Sequence, residues 1–130
     1  MNALYSNTNG NSNTASGFSA LAYNTAGNYN TANGRDALQF NTTGNFNTAT
    51  GFQALYNNTI GSNNIALGYL AGLNLTAGDN NIDIGNLGVV YESITIRLGT
   101  VGTHSAAFIA GISGSQSQIR CLLSLVPMGN

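Results

Sequence analysis

Glycine returns every 17 residues along most of this chain, at Gly10, Gly27, Gly44, Gly61 and Gly78, and again seven residues later at Gly17, Gly34, Gly51, Gly68 and Gly85. Between the two series stands an unbroken column of Asn13, Asn30, Asn47, Asn64 and Asn81. Ala15, Ala32, Ala49 and Ala66 form another column, which ends in Asp83. Ala20, Ala37, Ala54 and Ala71 form a fifth, the first three followed by Leu21, Leu38 and Leu55, while Thr25, Thr42, Thr59 and Thr76 make a sixth. Ala3, Leu4, Asn7 and Thr8 fall in the same register as the tail of a partial copy over 1–9, so copies start at 10, 27, 44, 61 and 78. Self-similarity at a fixed period governs the fold before any local propensity does.

A 17-residue unit is too short for a helix pair, whose repeats run from about 30 residues upward. It suits one turn of a parallel β-solenoid, an all-β fold, with two strands of about five residues joined by two turns. Asn-Gly at Asn9-Gly10 and Asn33-Gly34 supplies turn chemistry, and the glycine columns fit corners that need φ > 0. The asparagine column reads as a structural ladder stacked from coil to coil.

Strand alternation sends the alanines to one face with the asparagines and glycines. The opposite face carries Thr14 and Ser16, Thr31 and Asn33, Thr48 and Thr50, Ile65 and Leu67, and Ile82 and Ile84. Alanine on the inner face implies a thin interior, and a thin interior buries little apolar area for one chain alone. Burial of Ile65, Leu67, Ile82 and Ile84 then calls for the same face of other copies around a shared axis. Five coils at about 4.8 Å each make a rod of roughly 24 Å.

The repeat region spans 1–92 and degrades at Leu87–Glu92. Residues 93–114 read as closing strands or a neck, with Ile94, Ile96 and Leu98 alternating on one face and an apolar run from Ala106 to Ile112. Residues 115–130 carry no repeat signal and form a C-terminal tail. Met1 falls inside a repeat, which reads as an excised piece of a longer array.

Charge is scarce. The chain has three arginines, no lysine, four acidic residues and a formal net charge of −1, so the basic footprint of a nucleic-acid binder is missing. With 42% hydrophobic residues it is too apolar for a disordered chain. No apolar run is long enough for a membrane-spanning helix, and no hydrophobic leader opens the sequence. Cys121 is the single cysteine, which precludes an intrachain disulfide.

The Asn-x-Ala-x-Gly core of Asn64–Gly68, and its variant Asn81–Gly85, resemble the head repeats of YadA-like trimeric autotransporter adhesins. The resemblance implies a left-handed β-roll, three chains about one axis, and axis-facing positions at Thr14, Thr31, Thr48, Thr50, Ile65, Leu67, Ile82 and Ile84. The family pattern puts apolar residues there; the first three copies carry polar ones, and the period is a few residues longer. Gly44–Tyr56, followed by Ile94–Gly99 and Ala107–Ile112, is similar to repeat arrays of bacterial surface and tail-fibre-like proteins, a likeness covering about residues 1–114.

These readings imply a structural and adhesive segment of a homotrimeric extracellular fibre. It would be exposed at the cell surface through an outer-membrane-anchored parent, or on a virion. Its partners would be itself and a host matrix protein or surface glycan, with no nucleic acid, no membrane insertion and no cofactor. A phage tail-fibre shaft is the alternative. An ice-binding solenoid is a third reading, weakened because only Thr48 and Thr50 form the Thr-x-Thr pair it wants.

Enzymatic chemistry is not expected. His104 has no acidic or cysteine neighbour in sequence, no Gly-x-Ser-x-Gly elbow occurs, and Asp79 and Asp83 lack the glycine framework of calcium-binding repeats. Arg35-Asp36 reads as a local ion pair of little energetic value. The sequons at Asn41, Asn57 and Asn74 follow from composition. Tyr29 and Phe46 share one column and Phe18, Phe52 and Tyr69 another; they suit a seam between neighbouring chains better than sugar stacking.

Overall fold

The computed structural model describes residues 1–106, and they form a β-solenoid. Six short strands, β1 (Thr14–Ser16), β2 (Thr31–Asn33), β3 (Thr48–Thr50), β4 (Ile65–Leu67), β5 (Ile82–Ile84) and β6 (Ile96–Leu98), make one sheet in sequential order. Every neighbouring pair is parallel. Thr14 lies opposite Thr31, Thr31 opposite Thr48, Thr48 opposite Ile65 and Ile65 opposite Ile82, whereas Ile82 meets Ile96 across a shorter coil. The Ala106–Ile112 run, beyond its first residue, and the 115–130 tail lie outside the described residues.

The sheet obeys the alternation of its sequence. Ala32, Ala49 and Ala66 point inward at 0–1% exposure while their neighbours face out. Opposite them pack Ala20, Ala37, Ala54 and Ala71 with Leu21, Leu38 and Leu55, all fully buried.

The second wall differs from the expected strand. Each coil has one strand of three residues, and the far side is a run of overlapping turns. In the coil after β1, Ala20 N–H donates to Gly17 O, Ala22 to Ser19 O and Asn24 to Leu21 O, at 3.2–3.3 Å. Ser19 and Leu21 hold φ of 55° and 50°, the sign a type II turn needs at its third residue. Between these turns, Leu21 N–H reaches Ala37 O and Tyr23 N–H reaches Gln39 O in the next coil, both at 3.0 Å.

Burial explains the preference. A strand shows alternate residues to opposite faces, yet Ala20, Leu21 and Ala22 are consecutive and all fully buried. Turns curl all three inward. The two left-handed residues of a coil cost about 2–4 kcal/mol together, which burying a leucine at about 1.5–3 kcal/mol offsets with the help of the alanines buried beside it. The same geometry recurs at Asp36 and Leu38 and at Gln53 and Leu55.

The two glycine columns have different causes. Gly17, Gly34, Gly51 and Gly68 adopt φ of 119–137° as the chain leaves each strand, a region L side chains avoid. Gly10, Gly27, Gly44 and Gly61 have no positive φ; there a Cβ would collide with the next coil's glycine carbonyl and with an Asn side chain. Asn33-Gly34 straddles the end of β2, and neither Asn9 nor Gly10 has the positive φ of a hairpin turn.

Candidate interaction face

Hydrogen bonds hold the coils together from within. Asn30 N–H donates to Asn13 Oδ1, Asn47 to Asn30, Asn64 to Asn47 and Asn81 to Asn64, at 2.9–3.0 Å. The Nδ2 groups of Asn13, Asn30, Asn47 and Asn64 donate to glycine carbonyls of the following coil at 2.7–2.8 Å, and that of Asn81 to Glu92 O at 2.9 Å. This ladder therefore links side chain to backbone more than amide to amide.

A second ladder, absent from the sequence reading, runs through Asn7, Asn24, Asn41 and Asn58. Each Nδ2 donates to the glycine three residues on, and from Asn24 onward also to the preceding Asn Oδ1 at 2.6–3.0 Å. The 17-residue spacing of these asparagines was its signal. Asn41 is thus committed inside the coil, and Asn57 and Asn74 donate to Leu73 O and Gly88 O. The sequon nitrogens serve the fold.

The outer face of the sheet is divided along its length. In β1–β3 it carries Thr14, Ser16, Thr31, Asn33, Thr48 and Thr50, all exposed except the half-buried Thr50. In β4–β6 it carries Ile65 (44% exposed), Leu67 (49%), Ile84 (39%), Ile96 (66%) and Leu98 (53%), with Ile82 half-buried. The margins are mixed, with their aromatic residues concentrated from β1 to β4. The first coils have Tyr29 and Phe46 before the strand, and Phe18, Arg35 and Phe52 after it. The later coils have Asn63, Asn80 and Ile94 before the strand, and Tyr69, Asn86 and Thr100 after it. Half-exposed isoleucine and leucine gathered on one sheet face make an apolar patch of the kind that protein interfaces cover.

Arg35 was not read as part of the aromatic column, yet its guanidinium stands 5.6 Å from the Phe18 ring centre and 5.9 Å from that of Phe52. It also contacts Asp36 at 3.2 Å while 65% exposed, so the ion pair itself contributes little. Phe52 stacks on Tyr69 at 5.6 Å, and Tyr29 on Phe46 at 5.0 Å with the rings within 3° of parallel.

Charge gathers at one end of the interior. Asp83 takes the alanine place in the inward column, lies opposite Arg97, and is 1% exposed. Neither of its carboxyl oxygens has a hydrogen-bond partner. Burial, reinforced by the nearby Glu92 and partly countered by Arg97, pushes its pKa up from 3.8 to about 6. Arg97 instead grips Glu92, with Nε 2.9 Å from both carboxylate oxygens and Nη2 at 2.7 Å. That hydrogen bonding holds Glu92 below the usual carboxylate range. The replacement of alanine by Asp83 marked the spot in the sequence; the 14-residue step to Arg97 hid its neighbour.

His104 caps a turn, its Nδ1 accepting from Thr100 N–H at 2.9 Å, and Asp79 Oδ1 accepts from Ser62 N–H at 2.7 Å. Among the described residues no group of three or more His, Cys, Asp or Glu gathers as metal ligands would. An open groove of about 280 Å³, lined by Ile84, Gly85, Leu98, Gly99, His104 and Ala106, continues the apolar zone at its far end.

No protein-family model, curated protein or solved structure matches the chain.

Proposed function

We propose that the chain is a structural and adhesive segment of an extracellular fibre, in which three copies pack the outer faces of their sheets around an axis parallel to the solenoid. The observation that carries this reading is the division of the outer face. Parallel copies at equal height set Ile65, Leu67, Ile82 and Ile84 against their own kind and threonine against threonine. A pair related by a perpendicular two-fold would set Thr14 against Leu98.

Geometry favours three. From two residues before each strand to two residues after it, as from Phe46 to Phe52, the chain spans at most about 20 Å at ~3.3 Å per residue. Three such walls enclose a prism whose sides lie roughly 6 Å from the axis, close to half the ~10 Å spacing of packed sheets. Four walls would leave a channel, and two would leave the margins unpaired.

The adhesive part of the reading, and the surface location with a matrix protein or glycan as partner, rest on the resemblance of Asn64–Gly68 and Asn81–Gly85 to adhesin heads. A tail-fibre shaft shares the same physics. Mass by light scattering on a sizing column tests the assembly: three chains per particle is the expected result, and a monodisperse single chain overturns it.

A further inference from the structure

We infer that the two aromatic margins of the sheet form the seam between copies, each coil pairing one margin of a chain with the opposite margin of its neighbour. The inference rests on the proposed assembly and deepens it. Phe18, Tyr29, Phe46, Phe52 and Tyr69 are exposed by 57, 57, 56, 36 and 72%. So much exposed aromatic surface in one region marks a contact.

The stacking says which kind of contact. Within each column the rings lie face to face along the rod, Tyr29 on Phe46 and Phe52 on Tyr69. A sugar ring stacks on an open aromatic face, and in each of these pairs one face of each ring is taken by the other. The stacked columns make two exposed apolar ridges suited to packing against another protein surface.

In a closed ring of parallel copies every contact is head to tail, left margin on right margin. Closure permits no rise, so residues meet coil by coil. Tyr29 then meets the partner's Arg35, a ring and a guanidinium. Phe46 meets the partner's Phe52, an aromatic pair. Asn63 meets the partner's Tyr69, an amide with a phenolic hydroxyl. These three pairs are compatible; Ser12 with Phe18, Asn80 with Asn86 and Ile94 with Thr100 complete the six coils, and no pair opposes like charges.

The test places cysteines at Phe46 and Phe52 in a Cys121→Ser background. Within one chain the extended β3 strand separates the two positions beyond the ~7 Å Cα reach of a disulfide, so any 46–52 bond joins two chains. On mild oxidation two thiols lose two protons and two electrons to the oxidant. The expected product is a covalent species that stops at three chains on a non-reducing denaturing gel. No bond, a stop at two chains, or an open ladder overturns the seam. A three-chain mass by light scattering with no 46–52 bond sinks the seam and leaves the trimer standing; a single-chain mass sinks both.

A charge pair gives an independent route should the cysteine variant fold poorly. Phe46→Asp or Phe52→Lys alone should weaken association at least tenfold, and both in one chain should restore it. Failure of the double variant to recover counts against the seam.

Discussion

Asp83 is the residue at which this molecule departs furthest from its own repeat. Its carboxyl stands where four other coils hold alanine, buried and without a hydrogen bond. Because its folded pKa is raised from 3.8 to about 6, the folded state binds the proton more tightly than the unfolded chain does. Its contribution to stability is therefore fully present below about pH 4, fades as pH rises through 6, and is absent above. Glu92 acts in reverse: its depressed pKa gives a contribution present at neutral pH and lost on acidification below its unfolded value near 4.5. At pH 7.5, Asp83→Ala should stabilise the protein by roughly 1–3 kcal/mol, and the gain should shrink by pH 5. Denaturant unfolding at the two pH values decides this. Equal destabilisation at both would mean that Asp83 works as the charged partner of Arg97. The sequence exposed the substitution, because the column was otherwise constant. It concealed the environment, because the step to Arg97 abandons the period.

At the scale of the coil, the period itself does the folding. One 17-residue turn returns each asparagine to an asparagine, each inward alanine to an alanine, and each glycine carbonyl to an amide that needs it. This level was legible in the sequence wherever a column was regular: the sheet, its inner and outer faces, the first asparagine ladder. The second wall was not legible, because apolar residues at Ala20, Leu21 and Ala22 look the same in a strand as in linked turns. Only the need to bury three consecutive side chains separates the two. Stacked repeats gain stability from contacts between neighbours, so removing one coil should be tolerated if the register survives. Deleting 44–60 joins Thr43 to Gly61 and preserves every column, and should leave a cooperative thermal transition. Deleting 44–59 shifts all later columns by one residue and strands buried amides and carbonyls at about 1–3 kcal/mol each. Circular dichroism melts should show a folded protein for the first deletion and a much weaker one, or none, for the second. Equal behaviour would mean that the ladders do not set the register.

At the scale of the whole molecule, the outer face has to reconcile a polar half with an apolar half on one continuous sheet. Threonine favours extended structure as isoleucine does, so both halves fold into the same strand, and the difference between them concerns what lies outside. Exchanging Ile65, Leu67, Ile82 and Ile84 for threonine would extend the pattern of Thr14, Thr31 and Thr48 through β5. The interior is untouched by this exchange, since Leu21, Leu38, Leu55 and the alanines lie on the other face. Secondary structure and the cooperative melt should therefore survive. Association should not. Each apolar side chain withdrawn from water contributes about 1.5–3 kcal/mol when fully buried, so four per chain represent at least about 5 kcal/mol, more than a thousandfold in a dissociation constant. If the parent assembles as proposed, the fourfold variant should elute as a folded single chain at concentrations where the parent has the mass of three. If it keeps the parent's mass, the isoleucines are not in the interface, and the aromatic margins alone, or another face of the coil, hold the copies together. The disulfide between positions 46 and 52 separates those two cases, because only the first places the margins of neighbouring chains in contact.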